Sequence, residues 1–175
     1  IFFNFLYSAQ VEELNWSRGE TFLTFLEKYS IPQKLYFDLE KEDQELCSEI
    51  TADRRFYLYT DDDGKLNQVL IPVSDDIQLH IFKDSNNKYK FQTLPINYTE
   101  YTETVAIEIT ESVSYDISKA TGDVTLAALL KSIFTEGVNF RKMQKGDLIA
   151  LEYSQKAYLG RPLGMPDLKA AMVQI

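Results

Sequence analysis

The chain has 175 residues, enough for one sizeable core or two small ones, and 45% of them are apolar and 13% aromatic, which excludes a disordered tail. Lys and Arg number 18 against 27 Asp and Glu, and this excess of acid argues against a nucleic-acid binder, which needs a basic stripe to displace counterions from phosphate. A single cysteine, Cys47, rules out an intrachain disulfide and reads as a small apolar side chain or an inert thiol.

Ile1 to Ala9 is apolar and aromatic but too short to span a bilayer. It reads either as the end of a leader or anchor, with Tyr7-Ser8-Ala9 near a small-residue cleavage site, or as a strand or helix packed on the body. Thr21 is a fair N-cap for a helix in which Phe22, Phe25, Leu26 and Tyr29 share one face, and Ile31-Pro32 ends it. Gln33 to Leu46 reads as a second helix, with Leu35, Leu39 and Leu46 facing in and Glu40, Lys41, Glu42, Asp43 and Glu45 facing water. The period then changes to two. Phe56 to Tyr59 and Leu66 to Ile71 form a hairpin around an Asp-Gly turn, and Ile77 to Phe82 turns through Ser85-Asn86-Asn87 into Tyr89 to Leu94.

Asn97 to Glu103 is polar without a buried-face pattern, which places a boundary there. Beyond it Val105 to Ile109 reads as a strand. Asp123 caps a helix carrying Leu126, Leu129, Leu130, Ile133 and Phe134, and Gly137 stops it. Leu148 to Tyr153 and Leu168 to Val173 read as further strands. The expected fold is α+β in two small domains: residues 1–98, a strand, two helices and an antiparallel meander, and residues 99–175, a mixed α+β unit.

Catalytic chemistry finds little support in these residues. Zinc hydrolysis needs about three protein ligands around an open position, and the sequence holds one histidine, His80. His80 and Asp84 have a His-x-x-x-Asp spacing but lie in a hairpin, where His80 reads as a strand residue pointing to solvent. Cys47 and His80 lack a nucleophile context, and no Gly-x-Ser-x-Gly elbow or phosphate-binding glycine loop occurs. Acidic pairs such as Glu42 with Glu45, or the run Asp61 to Asp63, are expected by chance among 27 acids. The expectation is therefore no catalytic residue, no metal ligand and no cofactor within this sequence.

The order of several short motifs carries more information. Trp16-Ser17-Arg18-Gly19-Glu20-Thr21-Phe22 followed by Phe25-Leu26 resembles the opening of the LysM-like or opacity-associated-protein-like module that precedes many LytM/lysostaphin-type zinc peptidases. Ile31 to Tyr36, Asp43-Gln44-Glu45-Leu46, Gly64-Lys65-Leu66 and Ile71-Pro72 resemble the cell-shape-determining peptidoglycan endopeptidases of that group. Val138-Asn139-Phe140-Arg141, Lys145-Gly146-Asp147 with the strand to Tyr153, and Ala170 to Val173 are similar to their second accessory domain.

The resemblance implies a LysM-like start to the first domain and a second accessory domain after it. It implies that the zinc-binding motifs lie in a third domain beyond Ile175, outside this sequence, so that zinc belongs to the parent and not to this segment. It further implies a periplasmic location, anchored to or exported across the inner membrane, with peptidoglycan and the parent's own catalytic domain as partners and no nucleic acid. The alternative is a stand-alone module that binds peptidoglycan or a partner protein. In a latent parent, the front domain is expected to cover the catalytic groove and offer a carboxylate to the open zinc position. Glu45 is the candidate, because Leu46 anchors the helix end while the carboxylate points out; Glu42 and Glu20 are the alternatives.

Overall fold

The computed structural model describes residues 10–134 and 137–175. Ile1 to Ala9, and with them the choice between leader and packed element, lie outside the described residues. The fold is mixed α+β with antiparallel sheets. Contacts divide the chain into two units, the first ending at Ile96 and the second spanning Asn97–Ile175.

In the first unit, strand β1 (Gln10–Asn15) pairs antiparallel with β2 (Arg55–Thr60), and three helices are inserted between these two neighbours. Backbone bonds close the base of the insertion: Trp16 N–H donates to the Arg54 carbonyl and Asp53 N–H to that of Trp16, at 2.8 and 2.9 Å. Helix α1 (Phe22–Lys28) begins at the predicted cap. The Thr21 hydroxyl accepts from Thr24 N–H and the Thr24 hydroxyl from Thr21 N–H, a reciprocal cap for two otherwise orphaned donors. Its buried face, Phe22, Phe25 and Leu26, meets Trp16, whose ring stacks on Phe25 at 4.9 Å and turns its edge to Phe56 at 5.8 Å.

The single helix expected over 33–46 is two: α2 (Lys34–Phe37) and α3 (Lys41–Ser48). Glu40 is extended, with ψ 155°, and breaks the path. The Gln44 side-chain amide donates to the carbonyls of Tyr36 and Leu39, satisfying acceptors freed at the break. The bend lets Leu35, Tyr36, Leu39 and Leu46 all pack on one core, with Cys47 buried among them.

Strands β2, β3 (Leu66–Pro72), β4 (Ile77–Lys83) and β5 (Tyr89–Pro95) complete a sheet of order β1-β2-β3-β4-β5. The β2–β3 and β4–β5 hairpins use the same turn chemistry. Asp61 accepts from the N–H groups of Asp63 and Lys65, and Asp84 from those of Asn86 and Lys88. The fourth turn residue is left-handed in each, Gly64 at φ 73° and Asn87 at φ 60°, as glycine and asparagine allow.

The second unit is a sheet of order β6-β7-β8, with β6 (Thr99–Glu108), β7 (Leu148–Tyr158) and β8 (Arg161–Gln174). All three strands are longer than their apolar cores suggest. The polar stretch Asn97 to Glu103, taken from sequence as lacking an element, is strand from Thr99 onward, because each residue pairs with β7 while both its faces stay wet. Helix α4 (Val113–Thr121), absent from the sequence reading, is capped by Ser112 and ended by Gly122 at φ 74°. Helix α5 (Leu126–Ile133) has Thr125 at its N-cap, two residues after the expected Asp123, whose carboxylate still accepts from the N–H groups of Thr125 and Leu126. Ile117, Leu126, Leu130, Ile149 and Leu151 form the centre of this unit's core. No helix among the described residues is long and apolar enough to cross a membrane.

Candidate functional site

Helix α3 carries three carboxylates, Glu42, Asp43 and Glu45, and its packing sorts them into two groups. Glu42 and Asp43 lie in the first turn, where negative charge complements the helix dipole. Asp43 faces inward, accepts the Thr93 hydroxyl at 3.1 Å and so fastens α3 to β5. Gln44 ties α3 back to α2, and Leu46 and Cys47 complete the inner face. Glu42 and Glu45 therefore emerge together on the outer face, one turn apart and both exposed, and no described residue pairs with either carboxylate.

Glu20, the third candidate, is held differently. Its carboxylate accepts from Ser17 N–H at 3.1 Å and pairs with Lys28 at 3.3 Å, and its side chain is only 8% exposed. Its backbone carbonyl also accepts the Trp16 indole N–H at 2.9 Å. These bonds commit Glu20 to the turn into α1. A half-enclosed cleft of about 250 Å³ lies between this turn and α3, lined by Thr21, Phe22, Tyr36, Cys47 and Ile50 among others. The Cys47 thiol there is pushed up to about 12 by burial and by the nearby Asp43 carboxylate, so it offers no thiolate for nucleophilic or metal chemistry at neutral pH.

His80 does not point to solvent. It is half-buried on the sheet face opposite Leu79 and Ile81, stacked on Phe82 at 4.8 Å. Its Nε2 lies 2.8 Å from the Gln68 side-chain oxygen and its Nδ1 2.9 Å from the Gln92 amide nitrogen. A neutral ring protonated at Nε2 satisfies both contacts, and burial lowers its pKa, favouring that neutral form. Asp84, four residues after His80, is occupied by its own turn. Both ring nitrogens being engaged, these residues do not fit a zinc site, and no group of three or more His, Cys, Asp or Glu able to hold a metal occurs among the described residues.

Two polar arrangements in the second unit had no sequence signal as sites. Buried Asp116 on α4 reaches back to accept the N–H groups of Thr110, Glu111 and Ser112 and the Thr110 hydroxyl. These bonds hold its carboxyl down to about 2. Buried Tyr153 donates to Glu103 across the β6–β7 pair, and burial together with that carboxylate raises its pKa. The first shapes the entry to α4 and the second fastens two strands.

The arrangement of an aromatic-cored α+β unit with an outward acidic helix, followed by a second α+β unit, has counterparts among known proteins. Residues 13–96 match the Csd3 N-terminal family. The chain is 39% identical to Helicobacter pylori Csd3 as solved in a hexagonal crystal, with a TM-score of 0.77, and in an orthorhombic crystal, with a TM-score of 0.79. Each likeness covers 93% of this chain and 45% of the Csd3 chain, so the sequence spans a little under half the length of those relatives. A zinc-containing peptidase from Vibrio cholerae shares the fold at 14% identity and a TM-score of 0.57, over 94% of this chain and 51% of that one. No curated protein matches the chain.

Proposed function

We propose that this chain is the regulatory and positioning segment of a larger periplasmic zinc endopeptidase that hydrolyses the peptide cross-links of peptidoglycan. The observation that carries the reading is the 39% identity with Helicobacter pylori Csd3 across 93% of the chain. The match of residues 13–96 to the Csd3 N-terminal family supports it, as does the donor set among the described residues, which does not fit a zinc site. The chemistry then belongs to another domain of the parent, and this segment acts on that domain.

The physical means of restraint is a carboxylate presented on a fixed helix. A carboxylate oxygen is a ligand suited to the open coordination position of a catalytic zinc, and filling that position keeps water from it. Glu45 meets the requirement: α3 is anchored by Leu46, Cys47, Gln44 and Asp43, while Glu45 is exposed and unpaired among the described residues. Glu42 is its neighbour on the same outer face, whereas Glu20 would have to surrender Lys28 and the Ser17 N–H to take the role. In the full-length parent, Glu45→Ala is expected to raise hydrolysis of purified peptidoglycan while Glu42→Ala stays close to wild type. Unchanged activity in Glu45→Ala, with folding and zinc content verified, removes this residue from the mechanism.

A further inference from the structure

The two sheets end in four edge strands, and two of them, β5 and β8, are blunted. In the first unit β5 ends in Pro95 and is tied to α3 through Thr93, while β1, also without Pro or a register shift, is only 6 residues long. In the second unit β8 carries Pro162 and Pro166, and its register against β7 shifts twice, at Glu152/Tyr153 and Ser154/Lys156. Proline and bulges are the usual means by which a protein prevents another strand from pairing with an edge.

Strand β6 has neither. Its 10 residues contain no Pro or Gly and pair with β7 without a register shift from Thr99↔Ala157 to Glu108↔Leu148. Thr99 to Thr104 are all exposed. One side of each peptide unit bonds to β7, so the other side presents a row of backbone donors and acceptors with no strand partner among the described residues. The strand is rich in Thr, Tyr, Val and Ile, which suit an extended backbone.

Charge decides what can join it. The strand carries Glu100, Glu103 and Glu108 and no basic residue. Pairing with a second copy would place three glutamates from each chain on one ribbon, which like-charge repulsion opposes. A strand bearing Lys or Arg meets the opposite condition: Glu100 and Glu108 stand on the sheet face away from the helices, where alternate basic side chains of an added strand would lie beside them.

We propose that the free edge of β6 docks an extended basic polypeptide segment, which joins the sheet as a fourth strand. Backbone bonding supplies the pairing and the glutamates select the sign of the partner. The proposal is independent of the role assigned to α3.

The test uses the 175-residue chain and a synthetic peptide of the same 10-residue length as β6, alternating Lys and Thr. Affinity is followed by fluorescence anisotropy and location by amide hydrogen exchange. The expected result is saturable binding with exchange slowed at β6. Methylating every second backbone nitrogen on the pairing edge of the peptide should weaken binding by roughly tenfold or more, since several hydrogen bonds are lost with charge unchanged. A Glu100→Lys, Glu108→Lys double variant should weaken it by about tenfold, and a peptide with Glu in place of Lys should not bind. Absence of saturable binding overturns the proposal, as does binding indifferent to N-methylation, which would be general charge attraction. Protection at β8 or β5 instead, or self-association through β6 without peptide, also overturns it.

Discussion

Asp116 shows how much local order one carboxylate can impose. It turns back from the first turn of α4 and takes three consecutive backbone N–H groups, at Thr110, Glu111 and Ser112, with distances of 2.9 to 3.0 Å. A charged acceptor holds the Thr110 hydroxyl, first, and these N–H groups more strongly than a neutral one, which is why its folded pKa, about 2, lies below the ordinary 3.8. Because the folded value is the depressed one, the stabilisation is complete above the unfolded pKa and is lost as pH falls through the folded pKa. The chain should therefore lose denaturant resistance between about pH 4 and pH 2, and Asp116→Asn should flatten that part of the profile. Urea midpoints measured across that window, with an equally steep loss in the variant, would remove Asp116 as the cause. His80 teaches a different lesson at this scale. Its spacing to Asp84 suggests a ligand pair, yet each residue is consumed by neighbours the sequence does not place beside it, Gln68 and Gln92 for the ring and a hairpin turn for the carboxylate.

At the scale of elements, helix α1 carries the most readable signals in the chain. The cap Thr21, the apolar spacing Phe22, Phe25, Leu26 and the stop at Ile31-Pro32 are all local, and the structure places each as expected. Both threonines of the cap contribute, because each hydroxyl satisfies the other residue's N–H. Thr21→Ala should cost about 1 kcal/mol in urea unfolding, and Thr21→Ser should recover most of it. An alanine variant as stable as wild type would show that tertiary packing of Phe25 and Leu26 alone fixes the start. The α2–α3 break was not legible because helical spacing continues through Leu39 and Leu46. What divides the helix is the side-chain amide of Gln44, four residues after the bend at Glu40, taking carbonyls the continuous helix would have used. Helix α4 was missed for the converse reason: Val113 and Ile117 are its only buried apolar side chains, so its amphipathic signal is faint, and its start depends on Ser112 and Asp116.

For the whole molecule, the reading as a regulatory segment rests on the likeness to Csd3, and the described donors of metal-binding type are engaged elsewhere. His80 is held by two amides, Cys47 stays a thiol, and the acids of the turns cap backbone N–H groups. Incubated with purified peptidoglycan and added zinc, the 175-residue chain should release no soluble fragments. Reproducible release that a chelator abolishes would show a catalytic metal site in this chain and overturn its assignment as the non-catalytic part.

The sequence by itself determined the α+β class, the α1 cap, the two hairpins with their turns and the helix that follows Asp123, because each depends on neighbours within a few residues. It also showed the family resemblance, since motif order survives without knowledge of contacts. Only the tertiary structure decided that α3 turns Glu42 and Glu45 outward while Glu20 is bound to Lys28, and that His80 lies between Gln68 and Gln92. It alone showed that the polar run from Thr99 is a strand at a sheet edge, paired on one side only among the described residues. These outcomes depend on cross-strand register and on partners distant in sequence. Burial periodicity is silent about a strand that is wet on both faces, and a backbone ladder reveals it.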